Sequence, residues 1–167
     1  MTKTFDFGDG AVPAHQHPNG GGWVADTAQV ADTAYVGPDA RVFGQARVTG
    51  YARVFGKAQV FGEAQVSGKA LIAGKALVAG KAQVFGEALV TDYAVVTDDA
   101  QVFGRAQIYD NAVVTDKALV FGAAWVAGDA RVYGTAWVSG KARVSGDALV
   151  SGAAWVRGDA RVTGDHT

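Results

Sequence analysis

The chain contains no cysteine, which excludes disulfide bonds and thiolate metal sites and leaves its redox compartment open. No apolar run reaches the length of about 20 residues that a membrane-spanning helix needs. The first ten residues, MTKTFDFGDG, lack the apolar region of a secretory signal. We therefore expect a cytoplasmic protein by default, with association with a phage or another particle as the alternative.

An excess of charge of one sign is also lacking. The 167 residues include 15 basic and 16 acidic side chains, for a net charge of −1. Nucleic acids and anionic membrane surfaces are bound by clustered Lys and Arg, which neutralise phosphates. We therefore expect a single domain with no nucleic-acid partner and no membrane partner.

What the chain has is a six-residue repeat without insertion or deletion. Alanine occupies every sixth position from Ala28 to Ala160, and Val or Ile follows two residues after each alanine. Every sixth position from 26 to 164, which lies two residues before each of these alanines and continues once beyond the last, holds 17 Gly, six Asp and one Pro. Such a period indicates a parallel β-solenoid, with Ala and Val inside and Gly or Asp at the corners. At Pro38 we expect Gly37 to supply the flexibility, because proline cannot adopt positive φ.

The charges just before the alanines indicate how many repeats close one coil. If three repeats form an 18-residue coil, seven vertical neighbours have opposite charges and three have like charges; in a 12-residue coil the numbers are four and five. The favourable columns include Glu63, Lys81, Asp99 and Lys117, and Lys69, Glu87 and Arg105. We predict an all-β fold, a single-stranded parallel β-helix with triangular 18-residue coils. About eight coils span residues 22–167, after an N-terminal cap or entry segment over 1–21 and with no C-terminal cap.

Four repeats carry a resemblance to a known group: VFGKAQ (54–59), VFGEAQ (60–65), VSGKAL (66–71) and VYGTAW (132–137). They resemble the hexapeptide-repeat, left-handed β-helix proteins, and the resemblance implies a left-handed coil. The known enzymes of this group are mostly trimeric acyltransferases, and some are zinc carbonic anhydrases. The segment 17–44 is similar to uncharacterised bacterial and phage-associated hexapeptide proteins. Repetition this regular is also typical of consensus designs.

The histidines do not match those enzymes. The resembling acyltransferases use a histidine on a coil, beside an extruded loop, but no residue from 18 to 165 is histidine and no repeat is interrupted. The resembling carbonic anhydrases bind zinc through three histidines. Here His15 and His17 precede the coils and His166 follows them, about 38 Å away at one strand spacing per coil, so the three cannot meet within one molecule. His15 and His17 belong either to a metal site with outside ligands or to a solvated segment, which we favour. We expect no catalytic, cofactor or metal residue; a transferase-like enzyme without a coil histidine is the alternative.

The C-terminal end has charged residues where a cap is expected. Arg157, Asp159, Arg161 and Asp165 either discourage growth of the sheets or flank an end that docks on another molecule.

Outward apolar side chains stack at the 18-residue spacing. We name the largest such set the aromatic strip: Phe85, Phe103, Phe121, Leu119, Trp137 and Trp155. Gln65, Gln83 and Gln101 are expected to form an amide ladder in the same way. The strip favours an interface, a site for sugar rings, or a ladder in which each ring covers its neighbour. We expect a non-enzymatic structural module without cofactor that forms a homo-oligomer, a trimer or an end-to-end assembly; a carbohydrate-binding or particle-tip module is a further alternative.

Overall fold

The computed structural model describes residues 3–164, in which there are 26 β-strands and no helix. In chain order the strands are β1 (Thr4–Asp6), β2 (Ala11–Gln16), β3 (Trp23–Ala25), β4 (Gln29–Val30), β5 (Tyr35–Val36), β6 (Arg41–Val42), β7 (Arg47–Val48), β8 (Arg53–Val54), β9 (Gln59–Val60), β10 (Gln65–Val66), β11 (Leu71–Ile72), β12 (Leu77–Val78), β13 (Gln83–Val84), β14 (Leu89–Val90), β15 (Val95–Val96), β16 (Gln101–Val102), β17 (Gln107–Ile108), β18 (Val113–Val114), β19 (Leu119–Val120), β20 (Trp125–Val126), β21 (Arg131–Val132), β22 (Trp137–Val138), β23 (Arg143–Gly146), β24 (Leu149–Val150), β25 (Trp155–Val156) and β26 (Arg161–Gly164).

From β3 to β23, each strand pairs in parallel with the strand three places later in the chain, which gives three sheets. The first face runs from β3 to β24, the second from β4 to β25 and the third from β5 to β26. Every pair has the same register, three repeats apart, as in Gln65↔Gln83 and Leu71↔Leu89. The predicted all-β solenoid with 18-residue coils, about eight in number, is therefore confirmed.

The core is one continuous column of inward side chains. Every inward Ala, Val and Ile from Ala34 to Ala142 has no exposed surface. Small Ala and larger Val layers alternate, and burial of each Val contributes about 1.5–3 kcal/mol before chain entropy is subtracted. In the last coil Ala154 and Ala160 are exposed, and β24, β25 and β26 end the three sheets within residues 3–164. Asp165 and His166 lie outside the described residues.

Most corners adopt the left-handed backbone conformation that the Gly or Asp positions predict, but Asp26 and Asp32 do not. Sixteen glycines in corner positions have positive φ, and so do Asp92, Asp98, Asp110 and Asp116, at 58–61°. The Asp corners are stabilised by the coil that follows: Gly128 N donates to the Asp110 carboxylate at 3.0 Å, and Gly134 N donates to the Asp116 carboxylate at 2.8 Å.

The corner at Pro38 differs from the prediction. Gly37 is not among the positive-φ glycines, so the expectation that it replaces proline's missing flexibility was wrong. A Cβ atom at Gly37 would lie 2.9 Å from Phe55 Cβ. Gly37 is therefore required for close packing against the next coil rather than for its backbone angle.

The N-terminal residues extend the first face. β1 and β2 form an antiparallel hairpin, and β2 pairs antiparallel with β3. Two hairpin rings continue the outward stacks of the coils, since Phe5 lies 4.6 Å from Trp23 and Phe7 lies 4.9 Å from Phe43, both parallel within 23°. The hairpin is therefore held by ring stacking as well as by backbone hydrogen bonds.

The turn between β2 and β3 lies over the first strand of the third face. Val36 N donates to Asn19 O at 3.0 Å, Gly22 N donates to Val36 O at 2.9 Å, and the Asn19 amide donates to Ala34 O at 2.9 Å. Backbone groups of β5 that face away from β8 are thus satisfied.

Candidate interaction surface

The aromatic strip runs along the second face and its edge: Leu119, Trp137 and Trp155 lie in strands β19, β22 and β25, and the three Phe residues directly follow β13, β16 and β19. Phe85, Phe103 and Phe121 stack at 4.8 and 4.9 Å with planes within 3°. Phe121 contacts Trp137 edge-on at 6.2 Å, and Trp137 stacks on Trp155 at 5.3 Å. The predicted stacking therefore occurs because the core places successive coils one strand spacing apart.

Exposure along the strip is uneven. Leu119 and the three Phe side chains are half-buried, and Phe103 is stacked between rings of both adjacent coils. Trp137 is 40% exposed and Trp155 is 61% exposed, and Leu149, on the first face of the last coils, is 63% exposed. The apolar surface open to solvent is thus concentrated at the C-terminal end of the strip.

A shallow depression lies where the Phe stack ends, and we call it the notch. Its volume is about 190 Å³, and it is lined by Phe121, Trp137, Ser139, Trp155 and Arg157. The outward position that holds Phe in three successive coils holds Ser139 and then Arg157 in the next two. The notch therefore occupies the place of the next ring in the stack. Sequence reasoning missed Ser139, although its 18-residue spacing from Phe121 was visible.

Cations cover many of the rings outside the strip. The Arg143 guanidinium lies 4.5 Å above Trp125, and Arg41 lies 5.1 Å above Phe5. Arg157 lies 5.8 Å above Trp155 within the strip. Sequence reasoning missed these contacts; the one between Trp125 and Arg143 has a visible signal, an Arg one coil after an aromatic residue, whereas the other two do not have this spacing.

Lys75 and Tyr93 form a similar contact. Lys75 Nζ lies 4.7 Å from the Tyr93 ring centre and donates a hydrogen bond to the Tyr93 hydroxyl at 3.0 Å. This hydrogen bond, and after it the positive charge of Lys75, lowers the pKa of Tyr93 from its ordinary value.

The predicted charge columns are in register, but few of their opposite charges lie within ion-pair distance of each other. Arg105 Nε lies 3.3 Å from Glu87 Oε2, with both side chains largely exposed. Among the described residues, no pair in the column from Glu63 to Lys117 comes within 4.0 Å. An exposed ion pair contributes about 0–1 kcal/mol to stability, so the charge columns are compatible with the strand register but do not determine it. The amide ladder is likewise in register, but within residues 3–164 no side-chain hydrogen bond joins its three glutamines.

The two described histidines lie in different environments. His15 Nδ1 is 2.8 Å from Asp26 Oδ1, at the surface. His17 is only 3% exposed; its Nδ1 is 3.2 Å from Asn19 O, and its Nε2 is buried without a hydrogen-bond partner. The expectation of a solvated segment is therefore wrong for His17, because the turn that follows it folds onto the first coil. Within residues 3–164 no group of three or more His, Cys, Asp or Glu side chains is arranged to hold a metal ion.

Two larger depressions flank the hairpin and were not predicted. One, about 380 Å³, is lined by Phe5, Trp23, Arg41, Lys57 and Gln59 together with the corner at 38–40. The other, about 390 Å³, lies between the hairpin and Phe43.

No helix among the described residues has the length and apolar character of a membrane span.

Comparison with known families identifies the type of repeat. The chain matches the YdcK Beta solenoid repeat over residues 106–128 and 142–158, which together cover less than half of it. A comparison with curated proteins gives no match. Stacked parallel coils and a solenoid repeat in the same residues lead to one conclusion: the chain is a β-solenoid repeat protein, similar to the YdcK Beta solenoid repeat.

Proposed function

We propose that the protein is a non-enzymatic structural solenoid that self-associates through the aromatic strip. The observation that carries the proposal is the exposure of Trp137 and Trp155 at the end of an otherwise half-buried stack. Aromatic side chains are enriched in interface centres, and a contiguous apolar patch on a soluble protein marks an interaction site. Association of two or more copies removes this patch from water.

Carbohydrate binding is less favoured by the ring geometry. A sugar stacks on the face of an aromatic ring, but in the strip each ring turns its face toward the next coil. Phe103 lies between Phe85 and Phe121, and Trp137 is stacked on Trp155. The outer face of Trp155, at the end of the stack, has Arg157 above it, and the open face of Phe121 has room for only a single flat ring.

The absence of a histidine between residues 18 and 165 supports a structural role, because acyl transfer needs a general base beside the acceptor hydroxyl. An acyltransferase-like activity is a distinct alternative with its own test. Binding of acetyl-CoA at micromolar strength, measured by titration calorimetry, contradicts a purely structural role.

Solution mass tests the proposal. Light scattering behind a size-exclusion column is measured for the natural chain, for the double variant Trp137→Ser with Trp155→Ser, and for Tyr51→Ser. Tyr51 is the matched control because it is 68% exposed and lies outside the strip. We expect the natural chain and Tyr51→Ser to form the same oligomer, a trimer if it follows the resembling enzymes, and the double variant to elute at 17.2 kDa.

Two results contradict the proposal. A natural chain that is monomeric at all concentrations shows that the strip is a self-contained ladder. Long polydisperse species that persist in the double variant show that association is end to end. Phe103→Ser, in the half-buried part of the stack, then shows whether the middle of the strip contributes.

A further inference from the structure

The notch lies where a fourth ring of the Phe stack would be. Phe85, Phe103 and Phe121 are spaced by 4.8–4.9 Å, and a fourth ring at the next outward position would continue the stack at the same spacing. Ser139 occupies that position instead and leaves one side of Phe121 without a stacked partner. A cavity of about 150 Å³ accommodates benzene, so the 190 Å³ of the notch suits a single ring.

The walls add aromatic contacts from the side. Trp137 meets Phe121 edge-on, with the two planes at 76°, and Trp155 lies beyond Trp137. A flat ring placed on Phe121 is therefore in stacked contact on one side and next to indole rings at its rim. Both offset stacks and edge contacts are favourable aromatic geometries.

The notch contains one cationic side chain, Arg157, that forms no ion pair with a described carboxylate. Arg157 lines it, and within the described residues no Asp or Glu oxygen lies within 4.0 Å of the guanidinium. Its described contact is with the Trp155 ring. A guanidinium binds a planar carboxylate through two parallel hydrogen bonds, and the Ser139 hydroxyl can donate a third.

We propose that the notch binds a small aromatic carboxylate, with its ring on Phe121 and its anionic group at Arg157. The site goes beyond the self-association proposed above, but it shares Trp137 and Trp155 with that interface, so probe binding is measured at protein concentrations at which the chain is monomeric. The ring supplies the surface that continues the Phe stack, and the carboxylate supplies an anionic partner for Arg157.

The test uses 4-fluorobenzoate as the probe and the broadening of its fluorine resonance on addition of the full chain. We expect saturable broadening at millimolar probe. The uncharged 4-fluorobenzyl alcohol should bind more weakly, and cyclohexanecarboxylate, which lacks a flat ring, should not displace the probe. Arg157→Gln should weaken binding about two- to fivefold, the range for an exposed charge pair.

Filling the notch is the decisive variant. Ser139→Phe places a ring at the position where three preceding coils already carry one, so the fold should be retained, and probe binding should be lost. Ser67→Phe is the matched control, because Ser67 holds the same outward position in the coil before Phe85. It extends the stack at its other end and should leave binding unchanged.

Several results overturn the proposal: no saturable broadening by the natural chain, equal binding of the alcohol, or equal loss in Ser139→Phe and Ser67→Phe. The mass of each variant is measured alongside. Loss of probe binding with an unchanged mass supports the site, because a change of oligomer cannot then explain the loss. A change of mass in Ser139→Phe without loss of binding overturns the site, because the filled notch should no longer accept the probe.

Discussion

The Asp corners lead to a counterintuitive prediction about Gly104, whose φ is 73°. We expect Gly104→Asp to be tolerated better than Gly104→Ala, although Asp is larger. The reason is the neighbouring corner at Asp116, which has φ of 59° and whose carboxylate accepts a hydrogen bond from Gly134 N at 2.8 Å. An Asp at position 104 faces Gly122 in the next coil in the same way that Asp116 faces Gly134.

The magnitude follows from three contributions. The left-handed conformation destabilises a residue with a Cβ by about 1–2 kcal/mol. Replacing glycine also makes the unfolded chain less flexible, which offsets about 0.4–1 kcal/mol of this. A Cβ at Gly104 would also lie 3.0 Å from Gly122 O and 3.1 Å from Gly122 N, which adds on the order of 1 kcal/mol. Gly104→Ala should therefore lower the free energy of unfolding by about 2 kcal/mol. A new side-chain hydrogen bond to Gly122 N should return about 1 kcal/mol of this for Asp.

The measurement is urea unfolding followed by far-UV circular dichroism, with the free energy obtained by linear extrapolation. Gly152→Ala is the control for the backbone term alone, because its φ is 62° and a Cβ there meets nothing within 4 Å. It should destabilise less than Gly104→Ala. If Gly104→Asp is as destabilising as Gly104→Ala, the carboxylate does not stabilise the corner and the explanation is refuted.

Three further predictions concern the core, the hairpin and Tyr93. Val102→Ala should lower the free energy of unfolding by about 2–3 kcal/mol, because Val102 is fully buried, while the adjacent outward Gln101→Ala should change it little; equal effects contradict the inward assignment. Phe7→Ser should raise the rate of proteolytic cleavage in the hairpin, and an unchanged rate means that ring stacking does not hold it. Lys75→Met should raise the pKa of Tyr93 in an ultraviolet titration, and an unchanged titration contradicts the contact. Since the folded pKa is lowered, the stabilisation that depends on ionisation of Tyr93 is present above the unfolded pKa of about 10 and is lost as the pH falls through the folded value, so Tyr93 should add no pH dependence of stability near neutral pH.

The coil size could be predicted from the sequence because two independent patterns agree. The inward Ala and Val positions require a solenoid, and the outward rings and charges recur at every third repeat. The charges predicted the right number of repeats per coil, although most of the opposite charges do not come within ion-pair distance, as in the column from Glu63 to Lys117. Backbone pairing and core packing determine the register, and selection of opposite charges merely avoids repulsion across it.

The N-terminal segment was harder to predict because it lacks the repeat, and the corner at Pro38 because its turn residue departs from the Gly or Asp pattern. Nothing in the local sequence indicated that His17 is buried, since its environment is created by Asn19 and Gly22 folding onto Val36. Gly37 was assigned the wrong role for a related reason. Its constraint comes from Phe55, which lies one coil later in the sequence and is close only after the coil has formed.

A solenoid with an invariant core separates stability from surface chemistry. Because Ala and Val hold every coil in the same place, each outward column can change residue by residue without moving the backbone. Departures from a column are therefore where a specific property can arise. The column of Phe85, Phe103 and Phe121 ends at Ser139 while the core continues unchanged through Val144, which is 1% exposed. The end of the Phe stack is thus a feature of the surface alone, and its consequence, an open ring position beside the guanidinium of Arg157, can be tested without disturbing the fold.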